Sequence, residues 1–186
     1  SLSACGGATT QTPAPSDETT PSSGAAHANE LTVGIAQDLD DSLDPYQMTA
    51  AGTREVMFNV FEGLVKPDSD GNYVCAVASD YQVSEDGLTY TFTLRDGVVF
   101  HNGATCTPDD VLYSFETCAA TSVTSAVVTA LSAVTDTVVD GNQITMTLSA
   151  PNSDFLSYVA SVYIVPADYA DQATKPVGTG PFKYIS

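Results

Sequence analysis

Two stretches of the chain alternate apolar and polar residues with a period of two: Leu88-Thr89-Tyr90-Thr91-Phe92-Thr93-Leu94 and Asn142-Gln143-Ile144-Thr145-Met146-Thr147-Leu148. That period sends successive side chains to opposite faces, so both are predicted to be half-buried strands. Turn signals flank them, Glu85-Asp86-Gly87 and Asp96-Gly97 around the first and Asp140-Gly141 before the second. Shorter apolar runs predict strands at 31–36 and 98–100, and a buried strand or strand-like run at 162–166. A helical period appears at 53–64, where Val56, Val60, Phe61 and Leu64 share one face of an amphipathic helix that closes near Gly63. A second helix opens at Thr107-Pro108-Asp109-Asp110, with Thr107 as N-cap, Pro108 at the first helical position and Asp110 completing a capping-box-like pair. Val111, Leu112 and Phe115 form its apolar face. Residues 125–133 predict a third helix and 153–159 a short fourth. Residues 67–72 and 101–103 are turns by composition, and Val177-Gly178-Thr179-Gly180-Pro181 is a glycine loop feeding a strand at 182–185. Strands and helices mix without regular βαβ alternation, so the fold class is α+β, or mixed α/β.

The front of the chain breaks with this pattern. Residues 6–29 are dominated by Gly, Ala, Thr, Ser and Pro and contain no large aliphatic residue. Such a segment cannot bury enough apolar surface to offset its ordering entropy, and it is expected to be a disordered linker. Before it, Leu2-Ser3-Ala4-Cys5 reads as a lipobox, with Cys5 as the lipidated thiol. A signal peptide's basic and apolar regions would precede Leu2, so the sequence is expected to be trimmed there. The layout expected is a lipobox remnant at 1–5, a linker at 6–29 and a folded part at 30–186, on a protein held outside the cytoplasm, at the cell surface or in the periplasm, by a lipid anchor.

Charge narrows the partners. The 186 residues carry five Lys+Arg against 23 Asp+Glu, a formal net charge of -18. A nucleic-acid partner calls for clustered cations that displace counterions from phosphates, and this chain cannot supply them. The same charge repels an anionic membrane surface, which leaves a covalent anchor as the expected attachment.

Candidate chemistry is sparse. There is no Gly-x-Ser-x-Gly elbow, no phosphate loop and no HExxH pair. Pro181 and a predicted strand, rather than a helix, follow Gly178-Thr179-Gly180, so that loop lacks the helix N-terminus of a dinucleotide site. Capping accounts for Asp109 and Asp110 better than acid/base catalysis does. His101 and Cys106 lack the paired ligand spacing of a zinc site, and no motif calls for a cofactor. Cys106 and Cys118 flank a predicted helix. At a 1.5 Å rise they stand about 15 Å apart, too far for a disulfide. With Cys75 they read as partly buried small hydrophobes.

Four features, in order from Leu31 to Ile185, resemble the bacterial extracellular solute-binding proteins of family 5, which serve peptide and nickel ABC transporters. They are Leu31-Thr32-Val33-Gly34 with Ser42-Leu43-Asp44-Pro45, then Phe58-Asn59-Val60-Phe61-Glu62-Gly63-Leu64-Val65, then Leu94-Arg95-Asp96-Gly97 running on to Phe115, and lastly Val177-Gly178-Thr179-Gly180-Pro181-Phe182-Lys183. The resemblance implies a class II periplasmic-binding-protein-like clamshell, of which this chain is expected to supply the first lobe. A small β-rich subdomain is expected at about 46–166 and the start of a return to the main lobe at 177–186, with the second lobe missing. It implies a non-enzymatic, monomeric substrate-binding component that takes oligo- or dipeptides, or a related small solute, and hands them to permease subunits. Carried over by position, Tyr46, Met48, Thr49, Ala50 and Ala51 are the expected ligand-binding residues; an ordinary loop with Thr49 or Thr53 as N-cap is the structural alternative. Other functions weighed are a solute-sensing or adhesion lipoprotein on the same fold and an exported hydrolase using some of the many carboxylates.

Overall fold

The computed structural model describes residues 41–185. Cys5, the 6–29 linker and the strand expected at 31–36 lie outside the described residues. The elements, in chain order, are α1 (Ala51–Met57), β1 (Val65–Pro67), β2 (Tyr73–Cys75), β3 (Ala78–Val83), β4 (Thr89–Leu94), α2 (Pro108–Thr121), α3 (Ser125–Ser132), β5 (Val134–Asp140), β6 (Gln143–Leu148) and α4 (Phe155–Ser161).

The two alternating stretches form β4 and β6, neighbours at the centre of a four-stranded antiparallel sheet ordered β3-β4-β6-β5. Their register pairs Tyr90 with Met146 and Phe92 with Ile144, so the buried residues of both strands share one face. The other face pairs Thr89 with Thr147 and Thr91 with Thr145, where β-branched hydroxyl residues suit a half-exposed pleat. Phe155 of α4 packs on the inner face, its ring 4.7 Å from that of Tyr90. Leu64, Phe92, Ile144 and Val159 are completely enclosed. The Asp140–Gly141 turn joins β5 to β6, with Gly141 at φ 58, a left-handed conformation that a side chain disfavours. Sequence patterning missed β5 and β3. Both are edge strands, and β5 is exposed along nearly its whole length, so burial imposes no alternation on it.

The second helix begins as its sequence demands. The Asp110 carboxylate accepts the Thr107 N–H at 2.8 Å, and Pro108 opens the helix. Its buried face is Val111, Ser114, Phe115 and Cys118, with Leu112 only half-buried. Cys118 lies inside the last turn of α2 rather than beyond it, because the helix runs on to Thr121. This helix also holds the 162–166 run, which is strand-like but joins no ladder. The buried Ser114 hydroxyl accepts the Val165 N–H at 2.9 Å, and Asp110 accepts the Ala167 N–H at 2.9 Å. The helix thus satisfies backbone groups that a sheet neighbour would otherwise pair.

Three sequence expectations change. The helix expected over 53–64 ends at Met57, and Val60, Phe61 and Leu64 are buried from a turn and an extended segment instead. The cause is the glycine loop. Gly180 N–H donates to Val60 O at 3.0 Å and Phe182 N–H to Asn59 O at 3.1 Å, using carbonyls that a continuing helix would keep for itself. An added Cβ at Gly180 would stand 2.3 Å from Asn59 O, and one at Gly178 2.3 Å from Val60 O, so only glycine permits this approach. The strand expected at 98–100 reduces to a single bridge between Val99 and Thr105, since the turn at 101–103 folds the chain back at once. Residues 182–185 form no ladder, because the N–H of Phe182 is already spent on Asn59.

Candidate functional site

The Ser42-Leu43-Asp44-Pro45 segment folds as a tight turn. Asp44 Oδ1 accepts the Tyr46 N–H at 2.9 Å, and Asp44 O accepts the Gln47 and Met48 N–H groups, both at 3.1 Å. These bonds drive Tyr46 and Met48 into the core, where both are buried, and the Tyr46 hydroxyl donates to Tyr163 O at 2.5 Å. Burial pushes the Tyr46 phenol well above its ordinary range, which keeps it a neutral donor.

Thr49, Ala50 and Ala51 lie further out: Thr49 and Ala51 are exposed and Ala50 is half-buried. The N-cap of α1 is Ala50, with no side-chain capping bond of its own, so neither Thr49 nor Thr53 caps the helix. Asp41 instead braces the loop just before the helix, accepting the Thr49 N–H at 2.5 Å and the Ala50 N–H at 2.7 Å. Those two bonds, Ala50's first, hold the Asp41 carboxyl below its usual range. A solute that reached for these N–H groups would compete with that carboxylate.

A cavity of about 220 Å³ opens beside this loop. Tyr46 and Met48 form its floor, Arg54 projects from α1, and Cys118 and Ser122 come from the end of α2. Thr124 and Val127 at the start of α3, with Ser161 and Tyr163 after α4, complete the wall. Of the five expected ligand residues, the structure therefore brings Tyr46 and Met48 to the cavity and leaves Thr49, Ala50 and Ala51 outside its wall. Sequence reasoning missed Arg54, Ser122, Thr124 and Tyr163, which are brought together only by tertiary packing.

Arg54 is braced: its Nε and Nη2 donate to Met48 O at 3.1 and 2.8 Å. Tyr163 packs its ring on Phe61, with centroids 5.9 Å apart. Burial raises the Tyr163 phenol and the Arg54 cation opposes that rise, which places guanidinium and hydroxyl within each other's field.

Other groups are occupied structurally. His101 spans the glycine loop, with Nε2 2.8 Å from Gly180 O and Nδ1 accepting the Gly178 N–H at 3.4 Å. Cys75, Cys106 and Cys118 are free thiols. Burial pushes Cys106 up to about 12, with Asp110 adding to it, and Cys118 up to about 11. Among the described residues no cluster of His, Cys, Asp and Glu could hold a metal ion, and no helix is long and apolar enough to cross a membrane. A larger cavity of about 390 Å³, between Glu62, Lys66 and Arg95, is walled by groups already engaged with one another or with backbone. The smaller cavity beside the loop is the better candidate because Arg54 keeps N–H groups beyond the two on Met48 O and has no ion-pair partner among the described residues.

Comparison with known proteins bears on the family and the fold. The sequence pattern of the bacterial extracellular solute-binding proteins, family 5 Middle, matches residues 72–186. The glutathione-binding protein GsiB of Pectobacterium atrosepticum is 30% identical over 165 residues, covering 78% of this chain and 30% of that protein. Among solved structures, the periplasmic binding protein DppA of Helicobacter pylori in complex with the peptide STSA superposes with a TM-score of 0.68 at 29% identity, over 78% of this chain and 34% of that one. The binding protein AgaA of A. tumefaciens R10 in complex with agropinic acid gives 0.69 at 32% identity, over 78% and 31%. This chain thus spans about a third of the length of the relatives it matches. Its mixed α+β architecture is that of the class II periplasmic binding proteins. A match over most of the sequence, carried by the same segments that build the sheet, α2 and the glycine loop, means that the chain belongs to the bacterial extracellular solute-binding proteins of family 5.

Proposed function

We propose that this chain forms one wall of the solute site in the substrate-binding component of an ABC transporter. The component captures oligo- or dipeptides, or a related small solute, outside the cytoplasmic membrane and delivers them to the permease without altering them chemically. The observation that carries this reading is the cavity beside the Ser42-Leu43-Asp44-Pro45 turn, built from four separate segments and holding the remaining N–H groups of Arg54. Convergent polar groups in an otherwise apolar wall are what a small-molecule site needs. DppA of Helicobacter pylori, a structural relative, is in complex with a peptide, and GsiB is named for glutathione, itself a peptide.

In this reading Tyr46 and Met48 shape the floor of the site. Thr49, Ala50 and Ala51 form its outer lip, where small residues let an extended solute backbone approach closely. The component works as a monomer, tethered through a lipid on Cys5 and the 6–29 linker, with permease subunits as its partners. The abundant carboxylates serve capping and solvation rather than hydrolysis.

A thermal-shift titration of the natively encoded protein with di-, tri- and tetrapeptides tests this. A solute that binds only the native state raises the melting temperature, by about 2.7 kcal/mol of added stability at 100 times its Kd. No rise with any peptide or other small solute would count against the proposal. Labelling cells with an alkyne fatty acid tests the anchor separately: Cys5→Ser should abolish incorporation.

A further inference from the structure

The cavity beside the 44–48 turn has an electrostatic character opposite to that of the chain around it. The sequence holds 23 Asp+Glu against five Lys+Arg, yet among the described residues the wall carries no carboxylate and one charged side chain, Arg54. Asp44 stands behind the wall, with its carboxylate engaged by the Tyr46 N–H. A site for a neutral or cationic solute has no use for a lone cation. In a chain of net charge -18, an anionic solute needs one.

Arg54 is also oriented. Two of its N–H groups are fixed on Met48 O, which limits the rotamer freedom lost when the rest of the fork binds a ligand. A guanidinium has five N–H donors, so three remain unspent. Among the described residues no carboxylate lies within ion-pair distance of it. Tyr163 supplies a second donor. Its ring is fixed against Phe61, only burial and the Arg54 cation act on its hydroxyl, with no hydrogen-bonding group among the described residues, and it lines the same cavity.

A carboxylate offers two oxygens and about four lone pairs, enough to accept from a guanidinium fork and a phenol together. We propose that Arg54 and Tyr163 form a carboxylate receptor in this cavity and that the site selects solutes bearing that group. The carboxylate belongs either to the C-terminus of a short peptide or to a free organic acid. This rests on the reading of the cavity as the solute site.

Calorimetric titration of the natively encoded protein tests it, using di- and tripeptides, succinate and citrate, each beside its amide. Wild type binds a carboxylate form about 10- to 100-fold more tightly than its amide, the range expected for a charge-assisted contact. Whether peptides or organic acids show this separates the two sources. Arg54→Gln abolishes the preference, weakening the carboxylate form more than the amide, and Arg54→Lys restores part of it. Tyr163→Phe, which removes no protein hydrogen bond, narrows the preference about 3- to 10-fold and serves should Arg54→Gln fail to fold. Equal affinity for acid and amide in wild type, or a preference surviving Arg54→Gln or untouched by Tyr163→Phe, overturns the proposal. Neutral solutes bound without preference overturn it and leave the transport reading standing. No binding by any of them overturns both.

Discussion

Replacing Gly180 by alanine strikes the contact that gives the fold its least expected feature. The new Cβ would stand 2.3 Å from Asn59 O and 2.7 Å from the Val60 carbonyl carbon, both backbone atoms that cannot turn aside. Relieving the clash means moving the loop away and weakening two bonds, Gly180 N–H to Val60 O and Phe182 N–H to Asn59 O. Each backbone bond contributes about 1 kcal/mol, and overpacking of this kind costs about 1–3 kcal/mol, so the substitution should cost about 2–5 kcal/mol together. With a urea slope of about 2 kcal/mol/M, the unfolding midpoint of the natively encoded protein should fall by about 1–2.5 M, followed by far-ultraviolet circular dichroism. The control is Gly141→Ala. That glycine has φ 58 and nothing within 4 Å, so alanine there meets only the left-handed backbone penalty of about 1–2 kcal/mol. If Gly180→Ala lowers the midpoint no further than Gly141→Ala, close approach is not what requires glycine at 180.

Three further outcomes follow from the packing. Ser114→Ala leaves the buried Val165 N–H without its acceptor and should cost about 1–3 kcal/mol, read as a urea midpoint shift. In the native protein at pH 8, Cys106 and Cys118 should resist iodoacetamide while the less buried Cys75 reacts slowly; mass mapping reads this, and equal labelling of all three would contradict it. Alkali should destabilise the protein. The folded thiol values, about 12 for Cys106 and about 11 for Cys118, lie above the ordinary 9.0, so their contribution is complete below pH 9 and is lost as pH rises toward 11 to 12. Midpoints that stay level or rise from pH 9 to 11 would contradict that sign.

What could be read from the sequence was whatever local physics decides. Tyr90, Phe92 and Leu94 must share a face once their segment is extended, and Thr107-Pro108 with Asp110 can begin a helix but hardly sit inside one. The end of α1 was not legible, because Val60, Phe61 and Leu64 keep a helical spacing that the Gly178–Gly180 loop, more than a hundred residues away, overrides. Strand β5 carries no burial signal, although the Asp140–Gly141 turn before a clear strand implies a partner on its other side. At the candidate site, Tyr46 and Met48 were legible only by position, through the family resemblance. Arg54 and Tyr163 were not, since nothing local relates a residue on α1 to one after α4.

The claim that the cavity beside Tyr46 receives the solute is tested most directly by filling it. Thr124 lines the cavity, is exposed and makes no capping bond, so Thr124→Trp should block the space without harming the fold. Isothermal titration of a solute that binds the wild-type protein should show affinity weakened at least about tenfold in the variant, with an unchanged melting temperature before the solute is added. Equal affinity in a folded variant would place the solute elsewhere and contradict the account.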